Sequence, residues 1–152
     1  MTEIPLKQSI MKTLASYLTI AMILISMALS TSAHAQTEHQ LVVQMVDNNS
    51  KVQKGLIKQL NNLKDGYGNT ITIEVVCHGP GLDLLHKERT EFREELLALK
   101  ERGIIFLACE NTLKGRGIPR DAIMEEFEFV PMGIGEVMEK QEQGWSYVKG
   151  GI

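Results

Sequence analysis

The sequence has no Walker loop, no nucleophile elbow and no pair of histidines spaced for one helix face. Three common routes to nucleotide, acyl-transfer and zinc chemistry therefore lack their residues. Gly133-Ile134-Gly135 misses the third glycine of a dinucleotide fingerprint and follows a late strand. No basic patch or aromatic-interleaved stripe is present, so nucleic acid is not an expected partner. Cysteines number only two, Cys77 and Cys109. With His78 and His86 they match no short-range zinc spacing, so neither a metal nor another cofactor is expected.

What is there begins with a leader pattern. Lys7 and Lys12 precede an apolar stretch from Leu14 to Leu29, and Ala33-His34-Ala35 reads as a small-x-small cleavage signal. Residues 1–35 are expected to be a secretory signal peptide, cut between Ala35 and Gln36. Residues 36–152 then form one domain, with 14 basic and 18 acidic residues. They hold no second run of about 20 apolar residues, so the cleaved form is expected to be soluble and periplasmic, away from the membrane. Export puts both cysteines in an oxidising compartment, where a disulfide is the bland expectation.

The mature stretch alternates strands and helices. Leu41 to Val46 is a buried strand, followed by the cap cluster Asp47-Asn48-Asn49-Ser50. Val52, Leu56, Leu60 and Leu63 recur at helical spacing. Thr70 to Cys77 is a β-branched second strand, broken by His78-Gly79-Pro80-Gly81. A helix capped by Thr90 carries Phe92, Leu96 and Leu99 inward and ends at Gly103. Ile104 to Ala108 is a third strand without polar alternation, as in a parallel sheet. One or two short helices follow, then a strand over residues 126–130, a helix with Ile134, Val137 and Met138, and a last strand from Trp145 to Val148. The order predicts an α/β fold: a three-layer α/β/α, doubly wound, mainly parallel sheet of about five strands.

Cys109 closes the third strand, and Glu110, Asn111 and Thr112 offer a helix start. Open α/β sheets bind ligands at the carboxyl ends of their strands, and a helix N-terminus favours a thiolate. Cys109 is thus the candidate reactive thiol, with an inert buried cysteine as the alternative. Cys77 and His78 end the second strand at the same edge. If strand one lies between strands two and three, the two cysteines sit about 10 Å apart, too far for a disulfide. The loop glycines Gly79 and Gly81 could present amides to an anion, with Asn111 and Thr112 after the cysteine, or simply make a tight turn. His86, beside Lys87 and Arg89, is either a solvated face or added positive charge near the thiol.

These segments resemble the DsrE/DsrF-like family, in particular its small single-domain YchN-like branch. The likeness covers residues 39–148 and is carried by Leu41–Val46, Val75-Val76-Cys77-His78-Gly79-Pro80-Gly81-Leu82, Phe106-Leu107-Ala108-Cys109-Glu110-Asn111-Thr112-Leu113 and Gly144-Trp145-Ser146-Tyr147-Val148. The resemblance implies homo-oligomers, trimers or hexamers, and a cysteine at the position of Cys109 that carries persulfide sulfur between a donor and an acceptor protein. Glu110 stands where the family has glycine, and a carboxylate there opposes the thiolate. The expected function is a periplasmic sulfur carrier, or sulfurtransferase, working through Cys109 with His78 or His86 in support. The alternatives are a non-catalytic small-ligand-binding or assembly module with Cys109 structural, and a thiol-redox protein using Cys77 and Cys109.

Overall fold

The computed structural model describes residues 38–151 together with Tyr17. By its contacts the chain divides into Met1–Gln36 and Thr37–Ile152. The expected leader and the Ala35–Gln36 cleavage site lie outside the described residues. Among the described residues no helix is long and apolar enough to cross a membrane.

The second unit runs β1 (His39–Met45), α1 (Ser50–Tyr67), β2 (Ile71–Cys77), α2 (Arg93–Glu101), β3 (Ile104–Cys109), α3 (Glu110–Arg116), β4 (Glu128–Val130), α4 (Gly133–Glu142) and β5 (Ser146–Lys149). Short 3-10 turns occupy Gly68–Thr70, Gly79–Leu85 and Arg120–Ala122. Asn49 caps α1 as the cluster before it predicts, its side chain accepting from Lys51 N at 2.9 Å. Thr90 does not cap α2. Its hydroxyl accepts from Phe92 N two residues on, a local turn that delays the helix to Arg93.

All five strands are parallel, in the order β4-β3-β2-β1-β5. This is the predicted α/β class, with one correction. Strand one does not separate strands two and three: β2 and β3 are direct neighbours, with Cys77 opposite Ala108. The chain steps one way from β1 to β4 and then returns past β1 to place β5. Right-handed crossovers put helices of opposite step direction on opposite faces. Accordingly α1, α2 and α3 share one face, their Leu56, Leu60, Leu96, Leu99 and Leu113 packing on Val43, Ile73, Val75 and Phe106. Among the described residues the return helix α4 is the one helix on the other face, through Val137 against Val42, Val76, Leu107 and Val130.

Glu74 lies on that second face, buried, in the middle of an apolar strand. Lys140 of α4 reaches down to it at 2.7 Å. Burial pulls the Lys140 pKa down, but the hydrogen bond and charge of Glu74 together with Glu136 leave it raised. The second carboxylate oxygen of Glu74 is buried without a partner. The pair pins α4 over the sheet.

Candidate functional site

Strand alternation decides which side chains meet at the carboxyl edge. Cys77 belongs to the three-helix face and packs in its core, fully buried. Cys109, one residue beyond the partner of Cys77, faces the other way. Both thiols are free. The reason differs from the expected one. Adjacent strands bring the two Cα atoms within roughly 6 Å, close enough for a bond, but the side chains leave opposite faces of the sheet. Burial drives the Cys77 thiol pKa far above the ordinary range, which makes it inert in the folded state.

On the single-helix face Cys109 meets the start of α4. Gly133 N donates to Cys109 Sγ at 3.1 Å. A helix start from a distant segment therefore meets the thiol in addition to α3, the short helix that Cys109 itself caps. Gly133 has no room for a side chain. A Cβ there would lie 3.0 Å from His78 Cβ and 3.2 Å from both Cys109 Cβ and Val76 Cγ1. The glycine lets α4 begin directly over the cysteine and wedges its first turn between Cys109 and His78. Cys109 is 4% exposed, and His78 beside it is half-buried.

His78 is held from the other side. Gln44, near the end of β1, contacts His78 Nε2 through its Nε2 at 2.8 Å, and Tyr147 Oη of β5 donates to Gln44 Oε1 at 2.5 Å. Burial lowers the His78 pKa. One line of side chains thus runs along the carboxyl edge from β5 through β1 to His78 at the end of β2, and Gly133 stands beside both His78 and Cys109.

The remaining candidates sit differently. Gly79 has φ +54 and serves the turn. Its amide donates to Thr112 Oγ1 at 3.0 Å, and Arg116 donates to its carbonyl. A Cβ on Gly81 would lie 2.3 Å from Met45 O, so that glycine permits close packing against the end of β1. Asn111 N donates to Pro131 O at 3.1 Å. The amides of Gly79 and Asn111 are therefore engaged within the protein, and Thr112 takes part as an acceptor. Glu110 turns to Arg120 in an ion pair, which offsets its charge beside the thiol. Arg120 also stacks on Phe129, 3.8 Å from the ring centroid.

His86 stands in the turn after the Gly79–Leu85 3-10 segment, bridged to Ile123, with Glu88 N donating to its Nδ1. Among the described residues it makes no hydrogen bond to Cys109 or His78. Burial first, and the Arg89 charge next, lower its pKa. No three His, Cys, Asp or Glu side chains gather as a metal site among the described residues. A cavity of about 510 Å³ opens between α1, β1 and β5 on the three-helix face, and neither Cys109 nor His78 lines it.

Sequence reasoning missed Gln44, Tyr147 and Gly133. Gln44 was the readable signal: a polar residue inside an apolar strand, near its carboxyl end. Nothing local links Gly133 or Tyr147 to a cysteine 24 or more residues away.

Solved structures share the fold. One, a protein of unknown function from Methanobacterium thermoautotrophicum, is 27% identical with a TM-score of 0.70, over 73% of this chain and 98% of its own. Another, a conserved protein of unknown function from Bacteroides thetaiotaomicron, is 21% identical with a TM-score of 0.59, over 78% of this chain and 99% of its own. No curated protein matches the chain. The DsrE/DsrF-like family model matches residues 16–149, spanning all five strands and the whole of the Cys109 edge. The chain belongs to the DsrE/DsrF-like family.

Proposed function

We propose that the protein is an exported sulfur carrier of the YchN-like branch, accepting and donating sulfur as a persulfide on Cys109. The observation that carries the reading is the Gly133 N–H aimed at Cys109 Sγ from the first turn of a ten-residue helix. It stabilises a thiolate and gives a transferred sulfur a fixed donor nearby. Cys109 Sγ attacks the outer sulfur of a donor persulfide. A new S–S bond forms at Sγ, the donor's S–S bond breaks, and the proton from Cys109 ends on the departing donor thiol. No net oxidation occurs. A persulfide places its outer sulfur about 2 Å beyond Sγ, which extends the reach of a residue that is 4% exposed.

Export rests on Lys7, Lys12, the apolar stretch to Leu29 and Ala33-His34-Ala35, and would put the carrier in the periplasm with donor and acceptor proteins of that compartment. Assembly as a trimer or hexamer is supported by the sparse cover of the single-helix face, where Met132, Ile134 and Met138 are about half exposed around α4.

A second reading has its own support. Burial of Cys109 fits a structural cysteine in a binding or assembly module. The thiol-redox reading has no such support, because the two thiols leave opposite faces of the sheet. Incubation with a persulfide donor, followed by intact-mass analysis, separates the first two. Gain of one sulfur in the wild type, lost in Cys109→Ser and kept in Cys77→Ser, supports the carrier. Equal loading of wild type and Cys109→Ser overturns it.

A further inference from the structure

The line Tyr147–Gln44–His78 has a direction. A glutamine amide offers one accepting end and one donating end. Its oxygen is taken by the Tyr147 hydroxyl at 2.5 Å, so its nitrogen faces His78 Nε2 at 2.8 Å and donates. Nε2 must then accept, and the ring proton must sit on Nδ1. We propose that Gln44, clamped by Tyr147, is a positioning residue that keeps His78 as the neutral, Nδ1-protonated imidazole beside Cys109.

The elements make this a tertiary device. Gln44 comes from β1, Tyr147 from β5 and His78 from the end of β2, and the pairings of β1 with both neighbours bring them together. An imidazolium would need a second acceptor at Nε2. Gln44 supplies one only by turning its amide over, which gives up the Tyr147 bond as it stands. The groups around the ring set the rest of its electrostatics. Cys109 faces it across Gly133. Lys149 pairs with Gln44 in register. Arg116 holds Gly79 O, the next residue, and is itself tied to Asp83. A neutral His78 leaves the helix start as the positive pole for Cys109 and keeps an N–H on the ring as a hydrogen-bond donor, not an acid, toward a sulfur anion. That last use rests on the sulfur-carrier reading. The tautomer does not.

The test is long-range proton–nitrogen NMR of His78 in the ¹⁵N-labelled protein, with the pH profile of Cys109 alkylation beside it. The wild type should show the proton on Nδ1 at neutral pH. Tyr147→Phe, on an exposed edge strand where fold loss is not expected, should give mixed tautomers. Gln44→Glu should raise the His78 titration by about one pH unit or more and add a matching step to the alkylation profile. Gln44→Asn and Gln44→Leu report whether packing alone moves these readouts. A wild-type proton on Nε2, or unchanged tautomer and titration in Tyr147→Phe and Gln44→Glu, overturns the proposal. Sulfur loading on Cys109 is scored separately, so either reading fails without the other.

Discussion

Gly133→Ala puts the site geometry to its most direct test. The backbone of Gly133 has a negative φ, so alanine is conformationally acceptable. In a helix it would even gain up to about 1 kcal/mol over glycine. Space opposes it. The new methyl would press on His78 Cβ at 3.0 Å and on Cys109 Cβ and Val76 Cγ1 at 3.2 Å, and the two Cβ atoms are fixed to the backbone. Overpacking of this kind costs about 1–3 kcal/mol, leaving a net destabilisation of roughly 0–3 kcal/mol. The relief available is a lift of α4 away from the sheet, which lengthens the 3.1 Å contact from Gly133 N to Cys109 Sγ. A hydrogen bond to a charged group contributes about 1.5–3 kcal/mol. Weakening that donor should slow the reaction of Cys109 several-fold. The assay is the rate of iodoacetamide incorporation at Cys109, followed by peptide mass spectrometry so that Cys77 needs no substitution. Gly135→Ala is the control. Its methyl would meet only Met132 atoms at 3.5–3.6 Å, so alkylation should stay at the wild-type rate. A folded Gly133→Ala that alkylates as fast as wild type would refute the claim that the start of α4 controls the thiol.

Two further outcomes follow from buried charge. Lys140→Met strands the Glu74 carboxylate under α4, with one oxygen already unpartnered, and should destabilise by about 3–5 kcal/mol in urea unfolding. Glu74→Leu with Lys140→Met should recover much of that loss, and no recovery would mean the pair is not what pins α4. His78 and His86 both have pKa values depressed below 6.5 by burial. Below about pH 6.5 the unfolded chain therefore binds protons that the folded chain refuses, so stability must fall as pH drops from about 7.5 toward 5. Urea midpoints at the two pH values check the sign, and His78→Gln should shrink the drop. A midpoint that rises on acidification in that window would contradict both burials.

Much of the fold was legible because local patterns wrote it. Val52, Leu56, Leu60 and Leu63 mark α1 at helical period, Ile71 to Cys77 marks β2 by β-branching, and Gly103 marks the end of α2. The run Ile104 to Ala108 points to a parallel sheet, and Cys109 at its end points to the ligand-binding edge. Each of these depends on residues within a few turns of one another. Thr90 shows the limit even there, since its hydroxyl had two local partners to choose from and took the turn.

Strand order and everything that depends on it came only with the tertiary structure. A parallel strand carries no local mark of its neighbour, so β2 beside β3 could not be read, and the distance argument about the cysteines failed with it. Their true separation is one of direction, set by the register of Cys77 opposite Ala108. The partners of Cys109 and His78 were hidden for the same reason. Gly133 N, Gln44 and Tyr147 arrive from three other elements, and their sequence distances from the thiol carry no periodic signal. The sequence by itself determined which segments become strands and helices and which thiol ends a strand, because those follow from short-range pattern. The tertiary structure alone decided which face the thiol takes, which helix start meets it and which side chains hold its histidine, because those follow from the single reversal that sends α4 back across the sheet.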